Sequence, residues 1–234
     1  MLSIKHAHYT YHHAPFDFSL EVAEGEILAL MGPSGAGKST LLALLAGFIE
    51  PESGDILAAG QSLLGQAPHQ RPVAMLFQEH NLFAHLTVEE NIGLGLHPGL
   101  KLTAEQKKQV VEAAQQVGIA EYFGRLPEQL SGGQRQRVAL ARCFVQPHQI
   151  WLLDEPFSAL DPLLREEMLM LVKRLAQERN LTVVMVTHHI NDARTIASQF
   201  AFVADGRVAE SGAIEQLSAQ HSNSELAAFV KASH

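Results

Sequence analysis

The sequence Gly32-Pro33-Ser34-Gly35-Ala36-Gly37-Lys38-Ser39 has the spacing G-x-x-x-x-G-K-S, which is typical of a phosphate-binding loop. The apolar run at 27–31 predicts a buried strand before it, and residues 40–45 predict the first turns of a helix after it. The glycines let the backbone curl so that its N–H groups point at an anion, and the helix N-terminus adds partial positive charge. We therefore expect a nucleoside triphosphate here, with Lys38 at its β- and γ-phosphates and Ser39 as a ligand of Mg²⁺.

Strand-like and helix-like segments alternate outward from this loop. Apolar runs at 150–153 and 182–186 predict buried strands, and residues 162–179 predict a helix that begins at a proline. Continuous apolar strands separated by helices are typical of a parallel sheet covered on both faces. Further patterns predict antiparallel strands near 9–11 and at 16–22, strands at 54–58 and 73–77, and a hairpin of 200–204 with 207–210 about Asp205-Gly206.

The middle of the chain differs in character, because residues 79–147 are mostly helical in pattern. Thr87, Thr103 and Ser131 are each expected to cap a helix in this segment. We interpret it as a helical subdomain inserted into an α/β nucleotide-binding core made of residues 1–78 and 148–234. The chain is then one domain spanning residues 1–234.

Composition and charge argue against several classes of function. The formal net charge of −8 disfavours a broad nucleic-acid-binding surface and electrostatic docking on anionic lipid. No apolar stretch approaches the roughly 20 residues that span a bilayer, and the N-terminus lacks the pattern of a signal peptide, so we expect a cytosolic chain. Cys143 is the single cysteine, and its apolar neighbours predict a buried residue rather than a reactive thiol.

Two further motifs carry chemistry. Asp154 and Glu155 follow the strand at 150–153, and ligands bind at the carboxyl ends of parallel strands. Asp154 is a candidate for the Mg²⁺ shell, and Glu155 can polarise a water for attack on the γ-phosphate. In the sequence Leu130-Ser131-Gly132-Gly133-Gln134, the glycines expose N–H groups at a helix N-terminus and form a second phosphate-binding surface, although one triphosphate needs only one.

These motifs resemble those of the ATP-binding subunits of ABC transporters, and the resemblance covers the whole chain. It rests on the Walker A loop at 32–39, the Q-loop glutamine Gln78, the signature at 130–134, Walker B at 150–154 with Glu155, the D-loop at 158–161 and the switch histidine His188. The resemblance implies a P-loop NTPase with a RecA-like, mostly parallel sheet, an antiparallel β subdomain and an inserted α-helical subdomain. It also implies ATP and Mg²⁺ as cofactors.

The resemblance further implies a homodimer, in which each ATP lies between the Walker A loop of one chain and the signature of the other. Binding closes the pair and hydrolysis reopens it. Nucleotide contacts would come from Gly32, Pro33, Ser34, Gly35, Ala36, Gly37, Lys38, Ser39, Thr40, Ser131, Gly132, Gly133, Gln134 and Asp161. Ser39, Gln78 and Asp154 would hold Mg²⁺, and the catalytic residues would be Glu155, His188 and Gln78.

Two positions stay open at the level of sequence. The family places an aromatic residue on the adenine ring. Aligning residues 4–11 with the family's first strand favours Tyr11, whereas counting back from residues 24–26 points to Tyr9. The residue after the switch histidine is often Asp in this family, but here it is His189, to which no role is assigned.

Residues 77–88 resemble a segment of bacterial importers in which a groove of the helical insert receives a permease helix, with Leu82, Phe83 and Leu86 as lining. The segments 11–13, 75–79, 81–83, 91–96 and 98–102 resemble those of importer subunits for thiamine. This implies a peripheral subunit on the cytoplasmic face of the bacterial inner membrane, with integral-membrane permease partners, an indirect periplasmic solute-binding protein and no nucleic acid. We expect no C-terminal regulatory domain.

Three alternative functions follow from the same motifs. The chain could serve another small-solute importer or an exporter. A soluble ABC-type ATPase for DNA repair or the ribosome is disfavoured by the acidic charge and by the lack of a long coiled-coil insert or a second cassette. A nucleotide-binding regulator without turnover is disfavoured by Glu155.

Overall fold

The computed structural model describes residues 1–78 and 81–232. Glu79 and His80, which begin the predicted helical insert and belong to the importer-like segment, lie outside the described residues, as do Ser233 and His234. Within the described ranges, ten strands form one sheet. They are β1 (Leu2–Tyr11), β2 (Ala14–Val22), β3 (Ile27–Met31), β4 (Ser53–Ala58), β5 (Gln61–Ser62), β6 (Val73–Leu76), β7 (Ile150–Asp154), β8 (Thr182–Val186), β9 (Gln199–Ala204) and β10 (Arg207–Ala213). Their order across the sheet is β5-β4-β1-β2-β10-β9-β3-β8-β7-β6.

One half of the sheet is parallel, as the apolar runs predict. β3 pairs with β8 and β9, β7 pairs with β6 and β8, and all four of these pairings are parallel. Every residue of β3, β7 and β8 is buried. Because these strands share one direction, their carboxyl ends meet at one edge of the sheet. The residues that follow them, beginning at Gly32, Phe77, Glu155 and Thr187, are thereby brought together.

The other half is antiparallel. The predicted N-terminal strands are confirmed, although β1 begins at Leu2 and is longer than expected. β4 pairs with β1, and the hairpin about Asp205-Gly206 joins β9 to β10. A parallel contact of Arg207 with Asp17 connects β10 to β2. The antiparallel strands therefore continue the parallel sheet instead of forming a separate one.

Helices cover both faces of this sheet. They are α1 (Lys38–Ala46), α2 (Val88–Gly93), α3 (Ala104–Gln116), α4 (Gly132–Phe144), α5 (Pro162–Arg179), α6 (Ile190–Ile196) and α7 (Ser224–Ala232). The three predicted caps in the insert are confirmed, since Thr87, Thr103 and Ser131 each accept a hydrogen bond from the backbone N–H three residues later. The sequence patterns do not predict α6. Among the described residues, no helix has the length and apolarity needed to cross a bilayer.

Two apolar clusters lie on opposite sides of the sheet, and β7 contributes to both. Trp151 and Leu153 pack toward the insert and α5, whereas Ile150 and Leu152 pack toward α1. Cys143 is buried in the first cluster, as predicted. Burial raises the pKa of this thiol to about 12, so it stays protonated and acts as a packing residue.

Candidate functional site

The phosphate loop links β3 to α1 through backbone that requires glycine at two positions. Gly32 has φ 145° and Gly37 has φ 111°. A Cβ atom on Gly32 would lie 2.1 Å from the carbonyl oxygen of Val203, and one on Gly37 would lie 2.7 Å from the Phe16 ring. Any side chain would therefore push the loop away from the sheet. The N–H groups at the start of α1 remain directed at the mouth of the loop.

Lys38 folds back across this loop. Its Nζ donates hydrogen bonds of 2.8 Å to the carbonyl oxygens of Gly32 and Pro33. Burial lowers the pKa of Lys38, while the carboxylates of Glu155 and Asp154 act in the opposite direction. The ammonium group thus lies against the phosphate loop, near the carboxylates of Glu155 and Asp154.

The neighbouring oxygens fit a magnesium ion. Ser39 Oγ donates to Asp154 Oδ2 at 3.5 Å. Burial raises the pKa of Asp154, and the nearby Glu155 raises it further, against the opposing effects of Ser39 and Lys38. A buried carboxylate in this setting gains stability from a cation. Hydroxyl, carboxylate and amide oxygens are hard ligands of the kind that Mg²⁺ prefers. Gln78 supplies the amide at the same edge of the sheet.

Glu155 stands at the centre of the site. Its φ of 47° is left-handed, and its N–H donates to the carbonyl oxygen of Val186 at 3.1 Å, so the backbone is fixed across β7 and β8. Gln78 Nε2 donates to Glu155 Oε2 at 3.4 Å, and His188 Nδ1 lies 3.5 Å from Glu155 Oε1. The three predicted catalytic side chains therefore converge. The Glu155 side chain is 23% exposed, so it is partly open to solvent.

The second glycine loop lies elsewhere on the same chain. Ser131 caps α4, because its Oγ accepts from the Gln134 N–H, and its own N–H donates to Gln134 Oε1. A Cβ atom on Gly133 would lie 3.2 Å from the Ala159 carbonyl oxygen, so the signature packs against the D-loop. Among the described residues, no hydrogen bond or ion pair joins residues 131–134 to residues 32–39.

A glutamine that the sequence analysis does not single out connects these parts. Gln136 is fully buried; its Nε2 donates to the Glu155 carbonyl oxygen at 3.1 Å, and its Oε1 accepts from the Ala159 N–H at 3.1 Å. It ties the signature helix to the backbone of Glu155 and to the D-loop. Its only signal in the sequence is that a polar residue stands on the otherwise apolar buried face of α4.

The remaining predicted nucleotide contacts are the adenine-stacking tyrosine, Asp161 and Thr40. Tyr11 ends β1 and is 56% exposed, with its ring against His12, whereas Tyr9 is partly buried against the core. Asp161 caps α5, since its Oδ1 accepts from the Leu164 N–H at 3.1 Å. Thr40 lies in the first turn of α1.

A separate groove of about 740 Å³ opens beside the insert. Phe83 and Leu86 line it as expected, together with Leu100 and Arg142. Leu82 instead packs against the core, so the expectation that it lines the groove is wrong. The Leu82 side chain points toward the core, whereas its neighbours Asn81 and Phe83 line the groove.

Comparisons with known proteins agree with this geometry. A family model described as ABC transporter matches residues 16–158. The chain is 72% identical over 232 residues to "Thiamine import ATP-binding protein ThiQ" of Vibrio cholerae, an alignment that covers 99% of this chain and 98% of that protein. It is 66% identical to the protein of the same name from Vibrio parahaemolyticus, with 99% of both chains covered.

A solved structure extends the likeness to the fold. The dimeric post-hydrolysis state of the ATP-binding cassette MJ0796, bound to ADP and Pi, superposes with a TM-score of 0.83 at 31% identity, covering 92% of this chain and 99% of that one. A second dimeric structure of MJ0796, a bacterial ABC transporter cassette, gives a TM-score of 0.82. The chain therefore belongs to the ABC transporter family.

Proposed function

We propose that the chain is the ATP-hydrolysing subunit of a bacterial importer for thiamine and its phosphates. The observation that carries the ATPase assignment is the convergence of Lys38, Asp154, Glu155, Gln78 and His188 at the carboxyl edge of the parallel strands. The solute is supported by relatives that are named for thiamine import and share 72% and 66% of their residues with nearly the whole chain.

The site residues divide the work of hydrolysis. The loop at 32–37, the start of α1 and Lys38 bind the phosphates, and the exposed Tyr11 ring stacks on the adenine. Mg²⁺ would neutralise phosphate charge when bound, and Ser39, Gln78 and Asp154 would hold it. Glu155 accepts a proton from the attacking water, which Gln78 orients.

Two copies of the chain complete each site. The signature at Ser131–Gln134 is joined to the D-loop on the same chain, so one rigid surface can present both to the nucleotide of a partner. ATP shifts the equilibrium toward the closed pair because it contacts both chains only in that state. Phosphate release removes part of that contact, and the pair reopens.

Transport requires partners beyond the dimer. We propose that the groove lined by Phe83 and Leu86 receives a helix of integral-membrane permease subunits, which holds the chain peripherally on the cytoplasmic face of the inner membrane. A periplasmic solute-binding protein delivers the solute without touching this chain. The groove adjoins Gln78 through Phe77, so movement at the nucleotide site can reach the permease.

Uptake of labelled thiamine tests this function. The chain is expressed with its permease and solute-binding protein in cells that lack their own thiamine importer. Wild type is expected to accumulate thiamine, and Glu155→Gln is expected to abolish accumulation at equal protein level. Uptake that is equally fast with the variant contradicts the proposal. Accumulation of a different solute supports another importer, and accelerated loss of preloaded thiamine supports an exporter.

A further inference from the structure

His189, the residue after the switch histidine, has a backbone held by hydrogen bonds and a side chain to which no role has yet been assigned. The His189 N–H donates to Thr187 Oγ1 at 3.1 Å, and its carbonyl oxygen accepts from the Ala193 N–H at 3.3 Å. His189 immediately precedes α6, yet its side chain makes no capping hydrogen bond to that helix. The backbone is therefore fixed at both ends, while the imidazole is available for another task.

That imidazole lies on the ring of His188. The two ring centroids are 4.1 Å apart with an interplanar angle of 40°. The His188 side chain is 51% exposed, and its polar contact to Glu155 is long, at 3.5 Å. A half-exposed side chain with one weak polar contact keeps much of its rotational freedom. Contact with the His189 ring, whose backbone is held, restricts that freedom and favours the orientation facing Glu155.

The groups around His189 favour its uncharged form. Burial lowers the pKa of His189 most, and His188 and Arg165 lower it further, whereas Asp192 and Glu155 oppose them. These four neighbours come from every element at this corner: the β8–α6 turn, α5, α6 and the end of β7. Arg165 is itself held, since its Nε donates to the Phe157 carbonyl oxygen at 3.3 Å. Asp192 is buried, and its pKa is raised by burial.

We propose that His189 is a positioning residue whose uncharged ring holds His188 at Glu155, and that a proton on His189 weakens this arrangement and slows ATP turnover. The inference rests on the proposed ATPase function. A positive charge on His189 changes the electrostatic field at the His188 ring, because the two ring centroids are only 4.1 Å apart. It also attracts the Glu155 carboxylate, the partner that His188 has in the resting site.

Steady-state ATP turnover of the full-length protein between about pH 5.5 and 8 tests the proposal. His189→Ala removes the ring and is expected to lower kcat about three- to tenfold with KM for ATP nearly unchanged. His189→Phe keeps an aromatic ring that cannot take a proton. At pH 8, this variant is expected to hydrolyse ATP near the wild-type rate. As the pH falls through the range in which His189 gains its proton, it is expected to lose less ATP turnover than wild type.

A matched control comes from His69→Ala, which removes an exposed histidine far from the site and is expected to follow the wild-type profile. The proposal is overturned if His189→Ala keeps the wild-type kcat, or if His189→Phe is as slow as His189→Ala at an unchanged melting temperature. If His189→Ala does not fold, the pH dependence of turnover in His189→Phe is the test. The proposal is overturned if His189→Phe loses as much ATP turnover at low pH as wild type does. If the wild-type protein shows no ATP turnover at all, the proposed function itself is contradicted, and this inference falls with it.

Discussion

Glu155 illustrates how single residues acquire their roles from the strands that precede them. Its left-handed backbone and its hydrogen bond to β8 direct the carboxylate toward Gln78 and His188. Replacing it with glutamine preserves size and hydrogen-bonding distance but removes the ability to accept a proton. We expect Glu155→Gln to lower ATP turnover by at least about 100-fold and to accumulate as an ATP-bound dimer, measured by phosphate release and by light scattering. The exposed Glu166→Gln on α5 is the matched control. Turnover near the wild-type rate in Glu155→Gln would exclude its role as the base.

Lys38 is the other residue whose loss has a clear expected effect. Its ammonium group bridges two carbonyls of the phosphate loop, and we propose that it contacts the triphosphate when ATP binds. Lys38→Ala removes a charge-assisted contact and is expected to weaken ATP binding by about 10- to 100-fold, measured by isothermal titration calorimetry. Lys107→Ala, at an exposed position of α3, should bind ATP like wild type. Equal affinities in both variants would refute the assignment of this loop.

At the scale of elements, a buried arginine joins the phosphate helix to the strand that leads to Gln78. Arg71 is 1% exposed; its Nη1 donates to the carbonyl oxygens of Leu44 and Leu45 at 2.7 and 3.2 Å, and its Nη2 pairs with Glu50. These carbonyls lie in the last turn of α1, where intrahelical donors run out and a cation is also favoured by the helix dipole. The polar contact between the end of α1 and the segment that precedes β6 therefore depends on this one side chain, while apolar packing holds the rest of α1.

Arg71→Met tests that dependence. The substitution removes the guanidinium donors from the carbonyl oxygens of Leu44, Leu45 and Gln66, so we expect a loss of about 2–4 kcal/mol in the free energy of unfolding, measured by urea denaturation. Glu50→Gln is the comparison, since Glu50 is half exposed and its replacement should cost less than about 1 kcal/mol. If both variants cost the same small amount, the arginine does not anchor α1.

Elements with local signals are the ones that the sequence predicts well. The caps at Thr87, Thr103 and Ser131 and the apolar strands β3, β7 and β8 each depend on a few adjacent residues, and the structure confirms them. α6 escapes prediction because it has only seven residues and a buried Asp192 interrupts its apolar pattern. Gln136 escapes for a related reason, since its partners Glu155 and Ala159 are distant in sequence.

At the scale of the whole molecule, the single sheet could not be predicted. The join between its halves depends on one pair, Arg207 with Asp17, which are far apart in the chain and carry no pattern that reveals their contact. The convergence of the predicted site residues needs no such contact, because parallel strands place their carboxyl ends together whatever the outer strands do. The site is thus more predictable than the fold around it.

The groove beside the insert allows nucleotide chemistry and transport to be separated experimentally. Phe83 is 49% exposed in this groove, remote from the phosphate loop. A charge at its centre should exclude an apolar helix of the permease, because an unpaired carboxylate would be buried at the contact. We expect Phe83→Asp to keep the ATP turnover of the isolated chain and to abolish thiamine uptake and membrane association in cells. Met170→Asp, which places the same charge at a similarly exposed position of α5, should leave both activities intact. Normal uptake with Phe83→Asp would indicate that the permease contacts another face of the chain. Loss of ATP turnover in the isolated Phe83→Asp chain would show that the groove is needed for the nucleotide site.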